Sequence, residues 1–208
     1  MKRYGQFCAL ARALDKVGER WTLLIVRELL LASAGYASLA RALPGVPTNL
    51  LADRLRQLEA DGIVRRVVPP SGARGVRYEL TELGRGLEPA LLALIRWGAE
   101  WMGTGAEGDH FDPRWLVLAL RALLADPHHT APRAELELRF GDQVLAVSVG
   151  PEGREVRVGR ATAPVATVSG EGAGLLAVAS GMASLQEAGG VRVTGDRVAA
   201  SRLLAPPR

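Results

Sequence analysis

A polar helical face between residues 48 and 61 carries the side chains best suited to reading another molecule. Leu51, Leu55 and Leu58 recur at helical spacing and are expected to face a core. At roughly 100° per residue, the opposite face carries polar and small side chains, namely Asn49, Asp53, Arg56, Gln57 and Ala60, with Ala52 at its edge. Asparagine pairs well with adenine, arginine with guanine, and alanine with a thymine methyl group. This face therefore suits base edges in a DNA groove, although a solvated face on an ordinary helix would have the same pattern.

Asp53 has two alternative roles on this face, because a carboxylate is repelled by nearby phosphates. It could accept a hydrogen bond from cytosine. It could instead pair with Arg56, three residues later on the same helix, and orient that guanidinium group.

The elements around this helix predict a helix-turn-helix followed by a two-stranded wing. Apolar spacing and turn residues predict helices over 7–17 and 21–31, a turn over 32–35, a short helix over 38–43 capped by Ser38, a helix over 49–61 capped by Thr48, and strands over 63–68 and 76–80. The turn between the third and fourth helices is as short as the motif requires. Residues 1–102 are therefore predicted to form a DNA-binding domain that is mainly α with a small wing.

Four arginines lie on the predicted wing, where guanidinium groups suit phosphates or the minor groove. Arg74, at the loop tip, is the best candidate for the minor groove, and only one of the neighbours Arg65 and Arg66 can face DNA. The charge distribution agrees, since 15 of 26 basic residues but only 10 of 22 acidic residues lie in 1–105. The predicted DNA-contacting set is Thr48, Asn49, Ala52, Asp53, Arg56, Gln57, Arg65, Arg66, Arg74 and Arg77.

A further helix, capped by Thr81 and kinked near Pro89, is predicted to run to residue 102. From residue 90 onward it is apolar nearly all round, so one domain face cannot bury it. A symmetric partner is the simplest cover. The alternative is that the second half of the same chain covers it. On this helix the predicted dimer interface comprises Leu91, Leu94, Ile95, Gly98 and Trp101.

The second half, after a glycine-containing linker over 103–112, is predicted to be an α+β sheet domain over 113–208. The pattern predicts helices over 113–124, 172–180, 184–188 and from a cap at Asp196 to Leu204, with strands over 134–140, 143–149, 155–158, 164–169 and 191–194. In the first strand, Leu136, Leu138 and Phe140 are expected to face the core, and Glu135, Glu137 and Arg139 to face away. The whole chain is thus predicted to be α+β.

The remaining reactive residue types do not assemble into a catalytic or metal-binding pattern. Cys8, the one cysteine, starts the first helix and could act as a redox thiol, but a small buried hydrophobe is the more common role. His128 and His129 have no further ligand at suitable spacing. We expect no catalytic residues, no metal and no cofactor. The N-terminus lacks signal-peptide features and no apolar run approaches about 18 residues, so a cytoplasmic protein without membrane association is expected.

Residues 7–102 resemble the HxlR family of bacterial winged-helix regulators. The resemblance rests on CALARAL from Cys8, VGERWTLLIVREL from Val17, LPGV from Leu43, LADRLRQLEADGIV from Leu51 and YELTELGR from Tyr78, in family order. It implies homodimers built from the first and last helices of the domain, which bind an inverted repeat of double-stranded DNA. The first helix would add Leu10 and Leu14 to the predicted dimer interface. Residues 34–37 depart from the family, which usually has a basic residue and Phe there.

The second half is similar to the sterol-carrier-protein-like fold. The similarity rests on PVATVSG from Pro164, the helix over 175–181 and GVRVTGD from Gly190. It implies an apolar cavity between sheet and helices, and hence a small apolar effector that controls a DNA-binding regulator. Two alternatives stay open. The domain could be a packed dimerisation module without a ligand. The chain could instead be a hydrophobic-ligand carrier or interaction module whose helix-turn-helix does not bind DNA.

Overall fold

The computed structural model describes residues 3–68, 75–101, 110, 112–126 and 132–205. The chain divides into two compact units, Met1–Leu91 and Leu92–Arg208. This division falls inside the helix that was predicted to end the first domain. Within the described helices, none is both long and apolar enough to cross a membrane.

The first unit contains the predicted order of helices and strands. Its helices are α1 (Ala9–Val17), α2 (Thr22–Leu31), α3 (Tyr36–Ala42), α4 (Thr48–Ala60), α5 (Glu82–Arg85) and the start of α6 (Glu88–Gly98), and its strands are β1 (Ala34–Gly35), β2 (Val64–Val67) and β3 (Arg77–Leu80). A 3₁₀ turn, Ala99–Trp101, follows α6. The core consists of aliphatic side chains from α2, α3, α4 and the wing, including Ile25, Leu39, Leu55 and Leu80.

Two predicted helix caps are wrong, and one strand was not predicted. Residues 34 and 35 pair antiparallel with β3, which makes a three-stranded sheet in the order β1-β3-β2. Since Gly35 is extended and immediately precedes α3, the helix begins at Tyr36 and Ser38 lies inside it rather than capping it. Thr48 is likewise the first residue of α4, and the extended residue before the helix is Pro47, whose ring fixes φ at −62°.

The junction between the wing and α5 is tightly packed. Thr81 caps α5 as predicted, since its side-chain oxygen accepts a hydrogen bond from the Gly84 N–H at 3.1 Å. A Cβ at Gly84 would lie 2.1 Å from the carbonyl oxygen of Ile63, so only glycine allows α5 to approach the wing this closely. The chain leaves this helix through Gly86 and resumes as α6 beside Pro89, which agrees with the predicted restart.

The second unit begins with the rest of α6, and its further described residues form a mixed five-stranded sheet with three helices. Its helices are α7 (Trp115–Leu124), α8 (Gly172–Ala179) and α9 (Arg197–Leu204), and its strands are β4 (Ala134–Phe140), β5 (Gln143–Gly150), β6 (Gly153–Val158), β7 (Pro164–Gly170) and β8 (Val191–Gly195). The strand order is β6-β5-β4-β7-β8, with only the β4–β7 pair parallel. Asp196 caps α9 as predicted, because its carboxylate accepts from two N–H groups of the first turn.

The predicted helix over 184–188 is a turn in the structure. Ser184 donates both its N–H and its hydroxyl to Glu187, at 3.0 and 2.7 Å, which closes a single local loop. Gly189 and Gly190 follow directly, and Gly190 has a positive φ of 72°. A single turn bounded by two glycines cannot repay the cost of helix nucleation.

The connection from β6 to β7 lies against the carboxylates of β4. Glu137 accepts a hydrogen bond from the Ala161 N–H at 3.1 Å, and Glu135 accepts from Thr162 and Ala163. Glu137 was predicted to face away from the core, and it does, but this connection leaves it only 3% exposed. The hydrogen bond from Arg139 is the main cause that lowers the pKa of Glu137, and the N–H groups of residues 163 and 162 lower the pKa of Glu135.

Candidate nucleic-acid interface

Helix α4 presents the predicted polar face to solvent and its leucines to the core. Leu51, Leu55 and Leu58 are fully buried, as their spacing predicted. The side chains opposite them are exposed or half-buried: Thr48, Asn49, Asp53 and Arg56 are exposed, and Ala52 and Gln57 are half-buried. The segment of α4 from Thr48 to Arg56 therefore offers an amide, a carboxylate, a guanidinium group and a methyl group on one accessible surface.

Asp53 and Arg56 form an ion pair on this surface, which confirms that they can interact at a spacing of three residues. Both side chains remain more than half exposed. The carboxylate therefore orients the guanidinium group without removing it from solvent.

Gln57 is engaged within the protein. Its amide nitrogen donates to the Asp61 carboxylate at 2.9 Å, and Asp61 also pairs with Lys16 at the end of α1. This bond directs the amide nitrogen toward the C-terminal end of α4, whereas Asn49 and Asp53 lie in its first two turns. Gln57 therefore supports the Asp61 carboxylate, which in turn joins the end of α4 to Lys16 of α1.

The wing arginines differ in what they contact. Arg65 pairs with Glu79, directly across the β2–β3 ladder, with an Nε–Oε1 distance of 2.6 Å. Its neighbour Arg66 pairs with Glu59 at 3.0 Å and lies over the ring of Tyr78. Both remain substantially exposed and can still approach a phosphate. Arg74 lies outside the described residues.

The contacts of Arg77 do not fit its place in the predicted DNA-contacting set. Its Nε donates to the Ser33 hydroxyl at 3.1 Å, and its Nη2 donates to the Ser33 carbonyl oxygen. The side chain is half-buried, because it ties β3 to the segment that leads into β1. Ser33, which directly precedes the unpredicted strand β1, thus engages a guanidinium group that the sequence suggested was free for DNA.

Four contacts that hold α4 in place were not predicted. Arg54 donates to Glu19 at 2.9 Å and to the carbonyl oxygen of Arg20 at 3.4 Å. At the start of the helix, the Tyr36 hydroxyl donates to the carbonyl oxygen of Thr48 at 2.7 Å, and at its end Lys16 pairs with Asp61. No local pattern reveals these contacts, because each joins residues far apart in the chain.

The comparisons with known proteins agree with this architecture. A family model described as HxlR-like helix-turn-helix matches residues 16–106. The HTH-type transcriptional regulator sll1512 of Synechocystis is 38% identical over 98 residues, which cover 47% of this chain and 73% of that protein. Rv3095 of Mycobacterium tuberculosis, another HTH-type transcriptional regulator, is 40% identical over 116 residues, which cover 51% of this chain and 73% of that protein. The chain belongs to the HxlR-like helix-turn-helix family.

Solved structures with sequence similarity to this HxlR-like chain include two regulators. The reduced form of YodB from B. subtilis is 28% identical and covers 49% of this chain and 100% of that one, with a TM-score of 0.41. The oxidised form of the redox regulator HypR is 34% identical, and the match covers 45% of this chain and 96% of that one, with a TM-score of 0.42.

The predicted dimer residues of the HxlR-like chain are mostly accessible. Leu10 is 67% exposed and Trp101 is 64% exposed, while Leu14 and Leu94 are also exposed. Ile95 and Gly98 are half-buried. Leu91 does not fit the predicted dimer interface. It is only 5% exposed, because it packs into its own protomer, and it therefore offers little surface to a partner.

The structure also corrects the prediction for Cys8, because its thiol is exposed rather than buried. It occupies the position just before α1, whose buried residues are Ala11, Asp15 and Val17. The interpretation as a small core hydrophobe is therefore wrong. Within the described ranges, no group of three or more His, Cys, Asp or Glu residues is arranged to hold a metal ion.

The second unit packs its sheet–helix interface with aliphatic side chains. Leu120, Leu124, Leu136 and Leu138 are completely buried. This unit carries an open groove of about 840 Å³. Its walls combine charged with apolar side chains and include Arg121, Arg133, Glu135, Val149, Glu155 and Val165. This groove differs from the expected apolar cavity between sheet and helices.

Proposed function

We propose that this chain is a sequence-specific, DNA-binding transcriptional regulator that acts as a homodimer. The observation that carries the proposal is the exposed polar face of α4, opposite three fully buried leucines, in an HxlR-like helix-turn-helix. The N-terminal part of such a helix is the part that reaches base edges in the major groove. The similarity to proteins named HTH-type transcriptional regulators supports the same function.

In this proposal Arg56 reads guanine and Asn49 reads adenine. Asp53 holds the Arg56 guanidinium group near the groove face before DNA arrives, which reduces the conformational entropy lost on binding. Thr48 and Ala52 lie close enough in α4 to contribute contacts to the backbone and to a thymine methyl group. One of the strand neighbours Arg65 and Arg66 faces the DNA and supplies sequence-independent attraction to phosphates from the wing.

The homodimer would place two copies of α4 on an inverted repeat. The exposed leucines of α1 and the exposed Leu94 and Trp101 are apolar surfaces that a second copy would cover. Two-fold symmetry would then present the same reading face to each half-site.

The experiment that tests DNA binding is a selection from a random duplex library with the full chain, together with a gel shift on the DNA upstream of its own gene. We expect enrichment of an inverted repeat, and tighter binding to that repeat than to random duplex at the same salt concentration. Binding that does not distinguish these sequences, or no binding at all, would contradict the proposal and favour a carrier or protein-interaction role.

We further propose that 1–102 is the DNA-binding and dimerisation domain, 103–112 the linker, and 113–208 a sterol-carrier-like domain that binds a small apolar effector. The near balance of charge after residue 105, with 11 basic and 12 acidic residues, argues against additional DNA contacts. Thermal shift and mass spectrometry on the full chain test this proposal. A co-purified apolar compound that stabilises the protein and changes its DNA affinity is expected; a ligand-free protein whose DNA affinity no apolar compound alters would contradict it.

A further inference from the structure

The turn between α1 and α2 has an unusual backbone. Trp21 adopts φ 76°, and it is the only non-glycine residue with positive φ in the described part of the chain. A bulky side chain rarely occupies this left-handed region, so surrounding contacts must hold it there. The Trp21 ring reaches toward Gly45 in the turn before α4, and the Arg20 guanidinium group lies over that ring at 5.5 Å.

The same turn is joined to the middle of α4 by Arg54. The Nη2 of Arg54 donates to Glu19 at 2.9 Å, and its Nε donates to the Arg20 carbonyl oxygen at 3.4 Å. The Arg54 side chain is only 19% exposed, whereas that of Arg56 on the reading face is 67% exposed. Arg54 is therefore committed to the protein and is poorly placed to contact a phosphate.

We propose that residues 18–21 and Arg54 form a clamp that positions α4 for base recognition. This inference rests on the proposed function, since it assumes that α4 reads DNA. Arg54 is then a positioning residue that acts through the placement of Asn49 and Arg56, without contacting DNA itself.

The physical need for the clamp follows from how α4 is otherwise held. Its leucines form a single apolar stripe, and apolar contacts are not directional, so they resist small rotations and shifts along the helix axis only weakly. Base recognition requires hydrogen-bonding groups to be placed within about 0.5 Å. The two hydrogen bonds of Arg54 restrain both the rotation of the helix and its shift along the axis, at the middle of α4. The hydrogen bond from the Tyr36 hydroxyl restrains its first turn.

The test uses the full chain with Arg54→Met, which keeps an unbranched side chain but removes the donors, and Glu19→Gln, which removes the charge of the partner. Arg54→Lys retains a cation for Glu19 but lacks the planar fork that also reaches the Arg20 carbonyl oxygen. Arg85→Met is the matched control, because Arg85 is an exposed arginine of α5 outside the clamp. Affinity is measured for the duplex selected from the random library and for random duplex, over a series of salt concentrations.

We expect Arg54→Met to lose about tenfold or more in affinity for the selected duplex, with random-duplex affinity and the salt slope unchanged. Arg54→Lys should recover part of the loss, Glu19→Gln should add little to Arg54→Met, and Arg85→Met should resemble the unmodified chain. Unchanged selectivity in Arg54→Met would overturn the clamp. So would equal losses on both duplexes with a salt slope reduced by about one, which is the signature of a phosphate contact.

If Arg54→Met does not fold, as judged by circular dichroism, Glu19→Gln decides on the same readouts, and unchanged selectivity in that variant overturns the clamp. If the unmodified protein binds neither duplex, the proposed function itself fails and the inference falls with it. If the unmodified protein is selective and both variants are too, only the clamp is wrong.

Discussion

At the residue scale, Arg56 is the side chain on which base recognition should depend most. Arg56→Ala is expected to weaken binding to the selected duplex by about 1–3 kcal/mol, because it removes a two-point contact with guanine, while random-duplex binding changes much less. Fluorescence anisotropy on both duplexes measures the difference, with Arg85→Ala as the control. Equal losses on both duplexes would show that Arg56 contacts only the DNA backbone.

The buried carboxylate of Glu137 gives a pH-dependent prediction. Its pKa is lowered from an ordinary value of 4.5, chiefly by Arg139 and further by the Ala161 N–H. A carboxyl group whose pKa is lower in the folded state stabilises the protein above its unfolded pKa, and this contribution is lost as pH falls through the folded pKa. The stability contributed by Glu137 should therefore be complete at pH 7 and disappear as pH falls below about 4.5.

Glu137→Gln tests this prediction by urea unfolding between pH 7 and pH 3. The variant should lose about 2 kcal/mol at pH 7, since it replaces charge-assisted hydrogen bonds with neutral ones, and its stability should fall less steeply with acidity. Asp142→Asn, at the exposed β4–β5 turn, is the control. Parallel pH profiles for Glu137→Gln and the unmodified chain would contradict the assignment.

At the scale of the elements, local signals could be predicted from the sequence and long-range pairings could not. The leucine spacing of α4 and the caps at Thr81 and Asp196 depend on residues only a few positions apart, and the structure confirms them. Strand β1 has two residues, and it exists because β3, more than 40 residues later, pairs with it. The Ser33 contact of Arg77 depends on the same pairing, so the sequence pattern could not reveal it.

The α5–wing junction gives a stability prediction at this scale. Gly84→Ala would place a Cβ 2.1 Å from the Ile63 carbonyl oxygen and should cost about 1–3 kcal/mol of unfolding free energy. In Gly189→Ala, by contrast, the added Cβ has nothing within 4 Å and the backbone lies outside the left-handed region, so the change should be neutral or stabilising by up to about 1 kcal/mol. Chemical denaturation measures both, and equal effects of the two substitutions would contradict the close packing of α5.

At the scale of the whole molecule, assembly should depend on exposed apolar side chains. Leu94→Glu combined with Trp101→Glu should produce monomers that no longer bind an inverted repeat, because charges would be buried at the proposed interface. Leu83→Glu is the matched control, since Leu83 is exposed to a similar degree on α5, outside the proposed interface. Sedimentation at micromolar concentration measures the state. A monomeric unmodified protein, or a dimeric double variant, would contradict the proposal.

Methylation protection of guanine N7 on the selected duplex is the most direct test of whether two copies of α4 read bases in the major groove. We expect two protected guanine clusters, related by two-fold symmetry and separated by one or more helical turns of about 10 base pairs each. Arg56→Ala should lose this protection while Arg85→Ala keeps it. Binding that leaves every guanine N7 in the duplex equally reactive, or protection that Arg56→Ala leaves intact, would contradict base reading by α4.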